Sequence, residues 1–156
     1  MTDYDKIEQV KQIIIELLKK IGTNGDVQYE ESITKGLVFN IMVPDSYLLI
    51  GRLGSTLHAL QILIQAMAAK KINSSEPFYF TVDVDDYKMK REWYLRETAK
   101  QAVEQLKKTG RGQALETMPS YERRYVHAYI QEHFPEVSSE SIGLDPYRKV
   151  VIRLKK

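Results

Sequence analysis

The chain has 156 residues, of which 43% are hydrophobic, so it can form one domain or two small ones and is not a disordered tail. It contains no cysteine, which excludes a disulfide framework and a thiolate metal site, and three histidines without cysteine argue against structural zinc. The net charge is +2, but residues 1–84 carry −2 and residues 85–156 carry +4, a modest indication of a polyanionic partner for the second half.

The sequence contains no segment with the character of a targeting or membrane-spanning element. The N-terminus, MTDYDKIEQV, is acidic and polar, unlike a signal peptide. The most apolar run, residues 57–69, is interrupted by His58, Gln61 and Gln65 and is too short and too polar to cross a bilayer. We therefore expect a soluble cytoplasmic protein without membrane insertion.

The first half of the sequence predicts an alternation of helices and strands. Apolar residues recur every three or four positions in its helices and every second position in its strands. Gly22, Pro44 and Pro77 mark boundaries between these segments. We predict, in chain order, a helix over residues 4–21, strands over 27–31 and 36–43, a short helix through Ile50 capped by Asp45, a long helix from 55 to about 71, and a strand over 78–84.

The second half predicts helices, strands and a C-terminal hairpin. We expect Asp85 and Asp86 to open a long helix at its positive end, and this helix joins the halves because no flexible linker intervenes. Pro119 is expected in the first turn of the next helix. The predicted elements are a helix over residues 86–108, a strand over 112–116, a helix from 119 to about 133, and strands over 136–142 and 147–154.

A turn with glycine at both ends, GRLG at residues 51–54, lies between the two later helices of the first half, with Ser55 at the expected N-cap position. Glycine lacks a Cβ atom, so a sugar-phosphate backbone can approach closely, and the following helix offers free N–H groups to phosphates. Arg52 adds one positive charge. A tight helix–helix turn without a ligand is the alternative interpretation. In a nucleic-acid complex, the bases are expected against three apolar side chains: Leu49, Ile50 and Leu53.

A second candidate site lies on the predicted helix that follows Pro119. Arg123 and His127 are four residues apart and share one helix face, while Arg124 points further out. A guanidinium and an imidazole beside apolar surface suit a phosphate and a stacked base. The spacing alone leaves open that the arginine extends along the core edge and that the histidine only packs.

The element order of the first half resembles the bacterial type II KH domain. The stretch LIGRLGSTLHALQIL, residues 49–63, is similar to that family's signature, I-G-basic-x-G-x-T-L-x-A-L-Q. The resemblance implies that the loop clamps roughly four single-stranded nucleotides. Relatives often carry two basic residues in this loop, and Leu53 in the second of these positions removes one charge-assisted phosphate contact. The residues that the resemblance implicates are Gly51, Arg52, Leu53, Gly54 and Ser55.

The second half resembles the R-3-H domain, which is named for an arginine and a histidine separated by three residues. The matching stretches are LETMPSYERRYVH, residues 115–127, and SIGLDPYR, residues 141–148, which is followed by an apolar strand. The resemblance implies that this half makes its own contact with nucleic acid. The residues that it implicates are Arg123 and His127, with help from Arg124 and Arg148.

Together the two resemblances cover residues 4–155, in the order found in the bacterial Jag family, also called the SpoIIIJ-associated or KhpB/EloR family. This resemblance implies a cytoplasmic RNA-binding protein with roles in cell elongation or division and in membrane-protein insertion. Larger members carry an N-terminal Jag domain and a linker. This sequence starts directly at the KH helix, so we expect it to lack both, and with them any envelope targeting that depends on the Jag domain.

We therefore predict an α+β protein of two small domains, a KH type II domain over residues 1–84 and an R-3-H domain over residues 85–156. We expect it to bind single-stranded RNA, or single-stranded DNA, without cofactor or metal, and to act as a post-transcriptional regulator. A partner KH protein or a homodimer is left open. The alternative function is a protein-interaction adaptor in membrane-protein insertion or envelope assembly, docking through tyrosines and Trp93.

Catalysis is not expected of this sequence. Glu122, His127, His133 and Glu136 are close in the chain, and a hydrolase built on them is conceivable. No serine or cysteine nucleophile motif, Walker loop or HExxH motif accompanies them. A binding protein is therefore the preferred interpretation.

Overall fold

A computed structural model describes residues 1–156, and its first unit, Met1–Lys88, has the element order that the sequence predicts. Helix α1 begins after Thr2, which forms a reciprocal capping box with Asp5, and it ends at Gly22 in the left-handed conformation. The elements of this unit are α1 (Asp3–Ile21), β1 (Asp26–Ser32), β2 (Gly36–Met42), α2 (Ser46–Ile50), a 3₁₀ turn (Arg52–Gly54), α3 (Ser55–Ile72) and β3 (Thr81–Val84).

Strand β2 is the central strand of the first sheet, because β1 pairs with it antiparallel and β3 pairs with it parallel on the other side. The parallel pair requires a crossover, and α2 and α3 provide it. The apolar sides of α1 and α3 complete one core with the sheet. Its fully buried centre includes Ile14, Phe39, Ile41 and Ile64.

Strand β3 is shorter, by three residues at its start, than the sequence predicts. Pairing with β2 begins only at Thr81, which lies opposite Val38, although β2 itself begins at Gly36. Side chains of α3 bond the backbone there instead: the Gln65 amide donates to the Phe80 carbonyl at 2.8 Å, and Gln61 Oε1 accepts from the Val82 N–H at 3.0 Å. Two glutamines thus satisfy backbone groups that another strand would pair.

Asp85 and Asp86 directly precede α4, whose first residue is one position later than predicted. Both lie before the helix with positive φ values of 46° and 54°, and the helix begins at Tyr87. The carboxylate that caps the first turn is that of the buried Asp83, which accepts from the Lys88 N–H at 3.3 Å. The acidic run therefore marks the helix start correctly, but the capping residue comes from the end of β3.

The segment Ser46–Ile72 is long and apolar enough, by composition, to be a candidate membrane span. It is not one continuous helix, because α2 ends at Ile50 and the backbone turns at residues 51–54 before α3 begins. Leu57 and Leu60 of α3 are buried in the core of the first unit. A core helix passes the same composition test, so this finding carries no membrane assignment.

The second unit, Met89–Lys156, contains all but the first two residues of α4 and folds on a separate antiparallel sheet in the order β4-β6-β5. Pro119 is the N-cap of α5, one position before its predicted place in the first turn. Helices and strands mixed in two small units confirm the α+β prediction. The elements are α4 (Tyr87–Thr109), β4 (Gln113–Thr117), α5 (Ser120–His133), β5 (Val137–Ile142) and β6 (Lys149–Leu154).

The core of the second unit lies between its sheet and the two helices α4 and α5. Leu95 and Leu106 of α4 and Val126 of α5 are buried against Val150 and Ile152 of β6. The helical spacing of the α4 residues and the alternation along β6 bring these apolar side chains to one interior. Two charged residues of α5, Glu122 and Arg123, are buried beside this core.

Candidate nucleic-acid interface

The GRLG loop depends on glycine at its first position. The Gly51 N–H donates to the Tyr47 carbonyl at 2.9 Å and ends α2, with φ 71° and ψ −176°. This region of backbone conformation is nearly exclusive to glycine. A Cβ at Gly51 would also lie 2.1 Å from Thr56 Oγ1 and 2.9 Å from the Thr56 backbone nitrogen. The first turn of α3 therefore packs directly against the face that a side chain would occupy.

The second half of the loop leads into α3 through two left-handed residues, Leu53 at φ 53° and Gly54 at φ 77°. Gly54, not the predicted Ser55, is the N-cap of α3, and Ser55 is its first residue. No side chain caps the first turn of α3. The N–H groups of Gly54 and Ser55 donate within the loop, to the carbonyls of Gly51 and Arg52. Because Gly54 has no side chain, the later N–H groups of this first turn have no N-cap side chain to bond and can face an anion.

The side chains of the loop divide between solvent and core. Arg52 and Ser55 are exposed, and Arg52 forms no salt bridge, whereas Gly54 is buried. Leu49 lies in the core with 5% exposure, so the expectation that it contacts bases is wrong. Only one face of the short helix α2 is buried, and Leu49 lies on it and packs in the core of the first unit. Ile50 and Leu53 are half-buried.

Arg123 is buried in the second unit, with 7% exposure. Its Nη1 donates to the Met118 carbonyl at 2.7 Å and to Asp145 Oδ1 at 2.9 Å. The Asp145 side chain is 68% exposed. The arginine of the predicted R-x-x-x-H pair therefore joins the start of α5 to the loop between β5 and β6.

His127 lies over β5, with both ring nitrogens bonded to serine hydroxyls. Nδ1 is 2.7 Å from Ser139 Oγ, and Nε2 is 2.7 Å from Ser141 Oγ. In the neutral ring, one nitrogen donates and the other accepts. Burial lowers the pKa of His127 below its usual range, and the positive charge of Arg123 lowers this pKa further. The imidazole is thus held as a neutral ring.

The two other arginines predicted for this site differ in their surroundings. Arg148 braces the hairpin, because Nη1 donates to the Gly143 carbonyl at 3.0 Å and Nη2 donates to the Ser141 carbonyl at 3.3 Å. Arg124 is exposed on α5, as predicted, and forms no salt bridge. Arg148 therefore has a fixed position, and Arg124 is the accessible charge of this helix.

The β5–β6 hairpin brings three of the predicted residues together. Ser141 contacts both His127 and Arg148, and Asp145 contacts Arg123. The sequence interpretation missed these two residues and Ser139. For the serines a signal existed, since residues 137, 139 and 141 share one face of β5, and two of these three inward positions are polar.

Comparison with known proteins finds a family model that matches the second unit and relatives that align with nearly the whole chain. The family model for the R-3-H domain matches residues 94–154. The relative named RNA-binding protein KhpB from Clostridium symbiosum is 35% identical over 155 residues, covering 96% of this chain and 68% of the relative. The protein of the same name from Bacillus subtilis (strain 168) is 31% identical over 153 residues, covering 97% of this chain and 72% of the relative. The chain belongs to the KhpB family. This confirms the resemblance drawn from its motifs.

Relatives in the KhpB family differ in length from this chain. The KhpB of Lactiplantibacillus plantarum is 30% identical over 147 residues, which are 92% of this chain but 43% of the relative. The R-3-H match includes Arg123, Arg124, His127 and Arg148, whereas the GRLG loop lies outside it. Family membership therefore rests on the whole chain, and the R-3-H assignment rests on the second unit.

The acid–base candidates of this KhpB-family chain have separate partners. Glu122 is 2% exposed and accepts from Arg91, with Nε to Oε1 at 2.8 Å and Nη2 to Oε2 at 2.9 Å. His133 bonds the Tyr129 carbonyl through Nδ1 at 3.0 Å, and Glu136 pairs with a lysine of α4. None of these hydrogen bonds and ion pairs reaches His127, whose ring nitrogens bond serines, so the sequence cluster does not become one catalytic constellation.

Proposed function

We propose that this chain binds single-stranded RNA through two surfaces, one on each unit, and regulates RNA after transcription. The relatives that align over 96% and 97% of it carry the name RNA-binding protein. The observation that carries the proposal is the set of hydrogen bonds that joins Arg123 and His127 of α5, and Arg148, to the β5–β6 hairpin, inside the R-3-H match. A network of this kind fixes cationic and aromatic groups before a ligand arrives.

The first surface is the GRLG loop with Ser55, which we assign to a KH type II domain over residues 1–84. The glycine-only conformation of Gly51, the exposed Arg52 and the uncapped first turn of α3 support this assignment. A phosphate against the loop would meet backbone N–H groups, the positive end of a helix dipole and one guanidinium. Gly54 and Leu53 provide the left-handed backbone that turns the chain into α3.

The second surface lies on an R-3-H domain over residues 85–156. Arg124 supplies an exposed charge, and Arg148 supplies a charge fixed by two backbone carbonyls. His127 adds a neutral ring over β5, and Arg123 is buried one helical turn before it on α5. Contacts of this type recognise a backbone and unpaired bases with little dependence on sequence.

The proposal includes no catalysis, cofactor or metal. The cytoplasm is the compartment in which we expect the protein to act, because its relatives are named for RNA binding. The family resemblance ties the regulated process to cell elongation or division. Single-stranded DNA is the competing ligand, since aromatic stacking and phosphate contacts do not require a 2′-hydroxyl.

The test is binding of a fluorescently labelled single-stranded RNA to the full chain, measured by anisotropy. Replacing Arg52→Asp and Leu53→Asp together places two carboxylates where phosphates would lie. This pair should weaken binding about tenfold or more, because a charge-assisted contact contributes roughly 1.5–3 kcal/mol. The affinity should also fall steeply with added salt, since RNA binding releases counterions.

A matched control exists in the β1–β2 turn of the same unit. Lys35→Asp with Ile33→Asp makes the same change in net charge at exposed positions away from the loop. If this control weakens binding as much as the loop pair does, the effect is one of overall charge and the GRLG assignment fails. If the wild-type chain retains no RNA, the proposed function fails.

A protein contact through α3 is the second candidate function, because this helix exposes apolar side chains on the face away from the core. Ile62 is 54% exposed and Leu63 is 46% exposed. The partner would be a second copy of the chain or another KH protein. Sedimentation velocity should then detect association of the wild-type chain or its complex, and Ile62→Glu with Leu63→Glu should abolish it. Ile33→Glu, at an exposed turn, is the control.

A further inference from the structure

Arg123 is a poor direct ligand for a phosphate. The residue is 7% exposed, and Nη1 already donates to both the Met118 carbonyl and the Asp145 carboxylate. A phosphate that approached this nitrogen would have to displace a carboxylate that already neutralises the guanidinium. The contact that Arg123 makes best is with the loop that contains Asp145.

That loop, residues 143–148, is held from both ends. Arg148 donates to the carbonyls of Gly143 and Ser141, and the Tyr147 N–H closes a turn on the Leu144 carbonyl at 2.8 Å. The Arg148 carbonyl accepts from the Met118 N–H at 3.3 Å. The loop is therefore a defined structure docked against the start of α5.

Tyr147 is 73% exposed on this anchored loop. An aromatic side chain on an ordered backbone loses little conformational freedom when a flat ring stacks on it. Arg148, the next residue, adds a fixed positive charge for the adjacent phosphate. Stacking of bases on such rings is a general means of binding single-stranded RNA.

We propose that Arg123 is a positioning residue, which fixes the 143–148 loop through Asp145, and that Tyr147 of this loop stacks on a base of bound single-stranded RNA. This inference rests on the proposed function and states which residues of the second surface contact RNA and which only position them. Arg123 then contributes to RNA binding through the loop, and the ring of Tyr147 makes the contact.

Asp145→Asn distinguishes a positioning role of Arg123 from a direct contact, because the two roles predict opposite changes in RNA affinity. If Arg123 bound phosphate directly, removing the competing carboxylate would free its Nη1 and tighten RNA binding. If Arg123 positions the loop, the same change loosens the anchor and weakens binding, although it removes a negative charge. Arg123→Gln gives a second comparison. Loss of a phosphate contact lowers the salt dependence of binding by about one counterion, whereas loss of an anchor leaves that slope unchanged. Arg148 keeps its charge in place in the second case, because its own bonds to the Gly143 and Ser141 carbonyls remain.

The experiment measures anisotropy of a labelled mixed-sequence single-stranded RNA with the full-length chain at several salt concentrations. Tyr147→Ala should weaken binding about tenfold, because stacking contributes roughly 1–3 kcal/mol per base, and Tyr147→Phe should bind like the wild type. Leu144→Ala is the matched control, at a residue of the same loop that is 81% exposed and not aromatic. In the Asp145→Asn background, Tyr147→Ala should have little further effect.

Tighter binding by Asp145→Asn, together with a smaller salt slope for Arg123→Gln, would overturn the positioning role. Unchanged binding by Tyr147→Ala would overturn the stacking contact. In both cases the wild-type chain still binds RNA, so the proposed function survives. A wild-type chain that retains no RNA overturns the proposed function and this inference together.

Discussion

Gly51 combines two requirements that a side chain cannot meet. Its φ of 71° with ψ of −176° is strained for any other residue, and a Cβ would lie 2.7 Å from the Thr56 Cβ. Gly51→Ala should lower the free energy of unfolding by about 2 kcal/mol or more, as measured by urea denaturation. Gly36→Ala is the control, because its φ is also positive, at 68°, but no atom lies within 4 Å of the added Cβ. Equal losses in the two variants would contradict a steric role for Thr56.

The burial of His127 predicts a pH-dependent stability. A histidine in the unfolded chain titrates near pH 6.5, and burial holds the pKa of His127 lower in the folded chain. Between these two pKa values the unfolded chain binds a proton that the folded chain does not. The free energy of unfolding should therefore be highest above about pH 6.5 and fall as the pH drops through the folded pKa.

His127→Gln should remove this part of the pH dependence, and urea denaturation at about pH 7 and about pH 5 measures it. His133→Gln, at an exposed position of the same helix, should retain it. Carboxylates that titrate in the same pH range contribute equally to the wild type and to His127→Gln. The difference between their free energies of unfolding therefore reports on His127 alone. A variant whose stability changes with pH as much as the wild type would count against this role of the imidazole.

At the scale of elements, the sequence predicts every helix and strand of the chain, with ends displaced by a few residues. Hydrophobic periodicity is sufficient for most of this because nearly every helix and strand buries one side; β1, which buries only Val27, is the exception. The pattern also predicts the α+β class and the GRLG turn between α2 and α3. It fails where a partner outside the element decides the outcome. At β3, glutamines of α3 bond the backbone at the start of the strand, and at α4 the first turn is capped by Asp83.

The candidate site could be predicted only in part, for the same reason. The spacing of Arg123 and His127 places them on one face of α5, but the inward turn of the arginine depends on Asp145, 22 residues later. The serines that bond His127 lie on β5 and follow it by 12 and 14 residues. Burial of Glu122 likewise requires Arg91 from α4. Side-chain partners across elements are tertiary information, which periodicity does not contain.

The ion pair between α4 and α5 within the second unit predicts a large stability effect. Glu122 is 2% exposed and is bonded through both oxygens to Arg91. Arg91→Ala would leave a buried carboxylate without its cation, so the free energy of unfolding should fall by about 3 kcal/mol or more. Arg91→Met with Glu122→Leu should cost less, because no charge is left unpaired. Chemical denaturation measures both, and equal losses would show that packing, not charge, dominates.

At the scale of the whole molecule, each proposed surface has few cationic groups. The GRLG loop offers Arg52, and the second unit offers Arg124 and Arg148, in a chain whose net charge is +2. A binding surface with one or two phosphate contacts is weak at physiological salt. Covalent connection of the units changes this, because RNA held by one surface has a high effective concentration at the other.

Affinity should therefore depend on RNA length. An oligonucleotide that fills one surface should bind weakly, and one long enough to engage both should bind roughly 10²–10⁴-fold more tightly, measured by anisotropy at fixed salt. Arg52→Asp with Leu53→Asp should remove this dependence, because a single surface gains little from added length, while Lys35→Asp with Ile33→Asp should preserve it. A wild-type affinity that is the same for short and long RNA would mean that one unit binds alone. The loop pair would then reveal which unit it is, since only binding through the first unit is sensitive to carboxylates at residues 52 and 53.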